Sequence, residues 1–283
     1  MTEEYEDRMI YKNALLGGSF LLLTSFASYM VLKNKNISDS NKDNKDIQKK
    51  IKDAKEEGYF ILIESIVDYL KTNEKSSFDD FMKWSKSWNK VMDATDEAGY
   101  DAAVMVPRYR TPLNDFDMFW VGHTDTATNM GKALDNWFGD DFKKVRDSIP
   151  VTCVQAFNAV QWVLESNFDS DELSSAYPVS YRYCNLKEGK TLADAFINLS
   201  NQMKISHEAG IKNGARLIRP SNGAPAQLAE YDFVLSYGSP DWEEWGKAID
   251  HYWSNVNNTD ENKAVRETYS CENSRMYSGT LIR

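Results

Sequence analysis

The sequence predicts an α+β fold of two tandem βαββαβ modules behind one apolar helix, and three observations carry that prediction. The chain has 283 residues, 42% hydrophobic, 13% aromatic and 27% charged, an ordinary globular composition with room for one large domain or two modest ones. Segments that alternate in the manner of strands interleave, twice in the same order, with segments of helical periodicity. The chain also matches itself about 115 residues further on. Phe116-Asp117-Met118 aligns with Tyr231-Asp232-Phe233, and without a gap Gly131-Lys132-Ala133-Leu134-Asp135 aligns with Gly246-Lys247-Ala248-Ile249-Asp250.

Taken in order, residues 1–13 are a polar tail, and residues 14–32 form an uncharged apolar run long enough to span a bilayer. The run reads as a transmembrane anchor. It also reads as a signal peptide, with Lys12 as the basic start and Ser25-Phe26-Ala27 as a small-x-small cleavage site. Residues 33–57 are almost free of apolar side chains and read as a charged, solvated linker. The expected address is membrane-anchored or exported, in a periplasmic or other extracytoplasmic space. The lysines after the run instead favour a cytoplasmic body, so orientation stays open.

In the first module, residues 58–168, a strand is predicted within 60–70 and a helix over 77–98, with Ser77 and Asp80 at its start. Strands follow near 102–108 and 115–122, then a helix over 125–138, a short helix around 140–146 and a strand through 151–164. Residues 169–178 are a second linker. In the second module, residues 179–283, a strand over 179–186 leads into a helix over 191–208, with Thr191 and Asp194 placed as a capping box variant. Gly210 and Gly214 then turn the chain into a strand over 215–219, and residues 231–237 alternate as another. Ser239-Pro240-Asp241 opens a helix through Trp253, with proline in the first turn where it is tolerated. A short helix over 261–268 and a strand over 271–282 close the unit. This order is the split βαβ, or ferredoxin-like, arrangement.

Charge and cysteine content exclude several classes. With 33 basic against 43 acidic residues and net charge −10, the chain repels phosphate backbones, so nucleic acid is not an expected partner. The three cysteines, Cys153, Cys184 and Cys271, form no CxxC pair. That rules out a cysteine zinc site and allows at most one intrachain disulfide. No metal site is expected. Residues 187–191 (KEGKT) lack the upstream glycine of a phosphate-binding loop.

Residues 181–196 (YRYCNLKEGKTLADAF), 116–122 (FDMFWVG), 231–237 (YDFVLSY) and the two GKA-[LI]-D helices together resemble the dimeric α/β-barrel superfamily, in its tandem NIPSNAP-type and EthD-type members. The resemblance implies that the two modules close their sheets into one barrel within the chain. It also implies a cleft for a small apolar or aromatic molecule, or in some members for haem. The expected function is thus a non-catalytic, membrane-tethered or exported barrel that binds a small apolar or aromatic ligand or a protein partner, without a cofactor. Self-association into a homo-oligomer is a further expectation. The alternative is a cofactor-independent monooxygenase- or isomerase-like enzyme.

For that alternative the candidates are His123, which directly follows a strand and can serve as a base or an axial haem ligand, with Tyr109 and Asp117. The ligand-binding candidates are Arg108, Tyr109, Trp120, Arg216, Arg219 and Asp232. Arginines at strand ends can clamp a carboxylate bidentately. Asp117 and Asp232 recur at matching places in the two modules, as a shared role would require. His207 and His251 read as helix-surface positions.

Overall fold

The computed structural model describes residues 61–95, 99–109, 116–164 and 166–283, with side chains from Glu64 onward. The predicted apolar run at 14–32 and linker at 33–57 lie outside the described residues. Among the described residues no helix is long and apolar enough to cross a membrane.

The chain runs β1 (Ile61–Thr72), α1 (Phe78–Thr95), β2 (Asp101–Pro107), β3 (Met118–Thr124), α2 (Ala127–Phe138), α3 (Lys143–Asp147) and β4 (Val151–Val163). It continues through β5 (Tyr177–Leu186), α4 (Leu192–Glu208), β6 (Gly214–Pro220), β7 (Phe233–Gly238), α5 (Trp242–His251), α6 (Asp260–Thr268) and β8 (Tyr269–Leu281). The eight strands close into one antiparallel barrel in the order β1-β3-β2-β8-β5-β7-β6-β4. Closure leaves no exposed sheet edge to template association with another chain.

Local sequence sets the helix starts. The carboxylate of Asp80 accepts from the backbone N–H of Ser77 at 3.1 Å and from its hydroxyl at 2.8 Å, while the Asp80 N–H donates back to Ser77 Oγ at 3.3 Å. Thr191 and Asp194 form the same reciprocal box at α4, as their spacing predicts. Asp241 caps α5 by accepting from the Glu244 N–H at 2.8 Å. Two boundaries differ from expectation. The segment read as a linker carries a short turn at Ser170–Glu172, and β5 begins at Tyr177. The helix expected through Trp253 is α-helical only to His251 and continues as a π-turn over Tyr252–Val256.

Strand alternation sorts side chains into three layers. Inward-facing Val67, Phe119, Val121, Phe157, Ala159, Tyr177, Val179, Ile218, Val234 and Tyr277 fill the barrel. Outward-facing Leu70, Val104, Met118 and Trp120 pack against Phe81, Trp84, Trp88 and Met92 of α1. On the other side Cys184, Leu217, Phe233 and Leu235 meet Phe196, Leu199 and Met203 of α4. At Gly122 a side chain has no room, because a Cβ there would fall on the phenol of Tyr100. That phenol accepts from Trp120 Nε1 at 3.1 Å, so the missing side chain is what lets the first outer layer close.

Cys184 and Cys271 stand directly opposite each other on β5 and β8 and are joined by a disulfide. Cys153 is free and faces Leu70 across β1 and β4.

Candidate functional site

Four polar side chains interrupt the inward face. Ser65 precedes Val67 by two on β1, His123 follows Val121 by two on β3, Gln161 follows Ala159 by two on β4, and Arg216 precedes Ile218 by two on β6. All four therefore point into the barrel. Ser65 and Gln161 are fully buried; His123 and Arg216 are half-buried, at the rim.

They form a closed ring of hydrogen bonds. Gln161 Nε2 donates to Ser65 Oγ at 2.7 Å, and Ser65 Oγ lies 3.0 Å from His123 Nδ1. Arg216 Nη1 lies 3.1 Å from His123 Nε2 and 3.2 Å from Gln161 Oε1. Because a guanidinium only donates, His123 Nε2 must present its lone pair, and a neutral ring then carries its proton on Nδ1, directed at Ser65. Burial, and then the charge of Arg216, hold His123 well below the ordinary histidine range. Among the described residues no carboxylate pairs with Arg216. Two tyrosines feel that charge, Tyr177 and Tyr181: burial pushes their phenols upward, Tyr177 to about 12, while Arg216 pulls them down. Both stay neutral donors at pH 7.

The remaining sequence candidates lie elsewhere. Tyr109 is 71% exposed, beyond the end of β2; His123 pairs with the other end of that strand, at Asp101. Arg108 lies 5.5 Å from the ring centroid of Trp242. Asp117 accepts from the backbone N–H of Thr72 at 2.9 Å and its hydroxyl at 2.8 Å, and Asp232 accepts from the Leu186 N–H at 2.8 Å. Each carboxylate thus ties down the end of a neighbouring strand. Trp120 faces outward, edge-on to Phe81, Trp84 and Trp88. Arg219, an odd number of residues from Arg216 on one strand, is turned to the outer face. The structure brings together only His123 and Arg216 of the predicted set. Ser65 and Gln161 were missed. Their signal is a polar residue in phase with the buried face of an otherwise apolar strand.

No protein-family model matches the sequence, and no curated protein matches it. Solved structures of similar layout include a putative chlorite dismutase (TM-score 0.45, 11% identity, 78% of this chain and 95% of that chain). An anthrone oxidase-like protein matches with TM-score 0.45 and 14% identity over 78% of this chain and 94% of that one. A haem-binding protein from Thermus thermophilus matches with TM-score 0.42 and 7% identity over 78% and 93%. The eight-stranded antiparallel barrel with helices packed on its outer face is an α+β fold, as the sequence predicts. Two expectations do not stand beside these neighbours, among which are a putative chlorite dismutase and a haem-binding protein. One is a tethered barrel that binds without catalysis; the other is the absence of a cofactor.

Only some of the histidines have a nitrogen to offer an iron. Both ring nitrogens of His123 are engaged within the ring of hydrogen bonds, which sets it aside as an axial ligand. His207 Nε2 lies 2.9 Å from Asn213 Oδ1. His251 differs: its Nε2 is buried and has no hydrogen-bond partner, at the junction of α5 and the π-turn. A free imidazole nitrogen held away from water is suitable donor chemistry for haem.

Proposed function

We propose that the protein is an enzyme performing acid–base chemistry on a small anionic substrate held at the polar rim of the barrel. The observation that carries this reading is the guanidinium of Arg216, without a carboxylate partner and hydrogen-bonded to the lone pair of a neutral imidazole. A substrate carboxylate or other oxyanion satisfies Arg216. It also frees Nε2 of His123 and lowers the electrostatic cost of charging that ring. His123 then takes a proton from the substrate as general base, with its ring oriented by Ser65 and Ser65 fixed by Gln161. The neutral phenols of Tyr177 and Tyr181 are donors for negative charge that develops at the reacting group.

Calorimetric titration with acetate, benzoate and phosphate in two buffers of different ionisation enthalpy tests the reading. Binding is expected to take up a proton near pH 7, to lose that uptake in His123→Gln, and to weaken at least about tenfold in Arg216→Met. Anions that bind Arg216→Met as tightly as the parent chain sink it.

A second reading, a haem site on α5, is favoured by the unpartnered Nε2 of His251. His251 would hold the iron through Nε2, and haem bound there would supply oxygen and one-electron chemistry. On haem addition a Soret shift is expected that is lost in His251→Ala and kept in His123→Ala; no shift in the parent chain rejects the reading.

A disulfide persists in an oxidising compartment, so Cys184–Cys271 supports an extracytoplasmic body. The parallel roles of Asp117 and Asp232 support descent of the two halves from one duplicated unit.

A further inference from the structure

Helix α5 presents an apolar stripe to solvent. Trp242 and Ile249 are each 37% exposed and Trp253 is 64% exposed. Trp242, Gly246 and Ile249 follow the i, i+4, i+7 spacing of one face of α5, and Trp253 stands in the π-turn that continues it. A Cβ at Gly246 would meet no atom of the described residues within 4 Å, so nothing among them requires glycine there. An exposed glycine in a helix interior costs about 1 kcal/mol relative to alanine. A bare backbone flanked by aromatic knobs is the shape that lets a second helix approach closely.

We propose that α5 is the contact face between two copies of this chain, paired antiparallel across a two-fold axis. The stripe is complementary to itself. An axis between Trp245 and Gly246 sets Trp242 against Ile249 of the second copy and leaves the glycines at the crossing. It brings Lys247, which already bonds Glu243 at 2.9 Å and Glu244 at 2.8 Å, beside the acids of the other α5. Trp253 stands just past the end of α5, in the π-turn that follows His251. Trp253 therefore reaches the corner of the second copy where Arg108 lies over Trp242 and Tyr109 is exposed, a site suited to a cation–π contact. Aromatic side chains bury about 150–250 Å² each. Trp242, Trp253, Tyr109 and Ile249 thus supply about half of the roughly 800 Å² per partner in a standard interface, and Glu243, Lys247 and Asp250 form a polar rim. That acidic rim and the net charge of −10 disfavour an anionic lipid surface as the occupant.

Sedimentation equilibrium of the full chain tests the pairing. A dimer is expected with a dissociation constant in roughly the micromolar range, weakened tenfold or more by Trp253→Glu and by Trp242→Glu. Lys247→Glu is expected to weaken it, and adding Glu243→Lys and Glu244→Lys to that variant to restore it. A chain that stays monomeric at about 100 µM, or a dimer indifferent to Trp253→Glu, overturns the proposal. So does Trp253-dependent sedimentation with phosphatidylcholine vesicles by a monomeric chain, which would assign the stripe to lipid.

Discussion

Asp68→Asn is expected to stabilise the protein by about 2–3 kcal/mol at pH 7 and to leave it unchanged below about pH 4. Asp68 lies on the outer face of β1, opposite Trp120 of β3, under the aromatic layer of α1. Among the described residues its one polar contact is Cys153, whose Sγ lies 3.8 Å from Oδ1. Burial pushes the carboxyl up from 3.8 to about 6, against a smaller opposing effect of the Cys153 contact. The fold therefore favours the protonated acid, and the folded state binds more protons than the unfolded chain between those two values. Stability falls as pH rises through that window, and the full penalty is present above about pH 6. Asparagine keeps an acceptor for the thiol and removes the charge. Denaturant unfolding of both chains at pH 3.5, 5 and 7 measures the difference; equal stabilities at pH 7 would mean that Asp68 is solvated in solution. His123 works with the opposite sign. Its depressed pKa keeps it neutral in the fold, so its contribution is present above the ordinary histidine value and is lost as pH falls below it. Asp68→Asn removes the falling limb that Asp68 supplies and keeps the rising limb of His123, so between about pH 5 and 6.5 its stability should fall less with pH than that of the parent chain, or rise.

The same two residues show what the sequence carries and what it does not. Strands and helices announce themselves through period, and caps such as Ser77–Asp80 and Thr191–Asp194 are local in the chain, so element order is readable in advance. The ring of Ser65, His123, Gln161 and Arg216 comes from four strands. Which residues share a level inside a barrel depends on register, and register is set by pairings between distant segments. His123 and Arg216 stood out as charge-bearing types at strand ends. Ser65 and Gln161 did not, since one polar residue in an apolar strand has no meaning until its face is known. Asp117 and Asp232 fail as catalytic candidates for a related reason. Their recurrence is real, but the shared task is to bond a backbone N–H at a strand end, which needs a carboxylate as much as catalysis does. Asp68 was invisible because charge in an alternating strand normally marks the solvated face, whereas here both faces of β1 are covered.

Loss of the Cys184–Cys271 bond is expected to cost about 4 kcal/mol, the largest single effect anticipated in this chain. The cysteines are 87 residues apart, and the segment between them holds α4, β6, β7, α5 and α6. Cross-linking its ends removes the loop-closure entropy of most of the second half from the unfolded ensemble, and the logarithmic dependence on length places so long a loop near the upper end of the usual range. The bond joins two strands already paired by their backbones, so it need not distort the barrel to form. Reduction, or the double substitution Cys184→Ala and Cys271→Ala, should lower the unfolding midpoint by roughly 10 °C for a body of this size. Cys153→Ala is the control, because its thiol sits across from Leu70 with no partner cysteine and burial pushes that thiol up to about 12. It should lose little beyond the packing of one sulfur and should show the same sensitivity to reductant as the parent chain. An unfolding midpoint unmoved by reductant, with both thiols confirmed free by mass, would show that backbone pairing of β5 with β8 alone holds the second half closed.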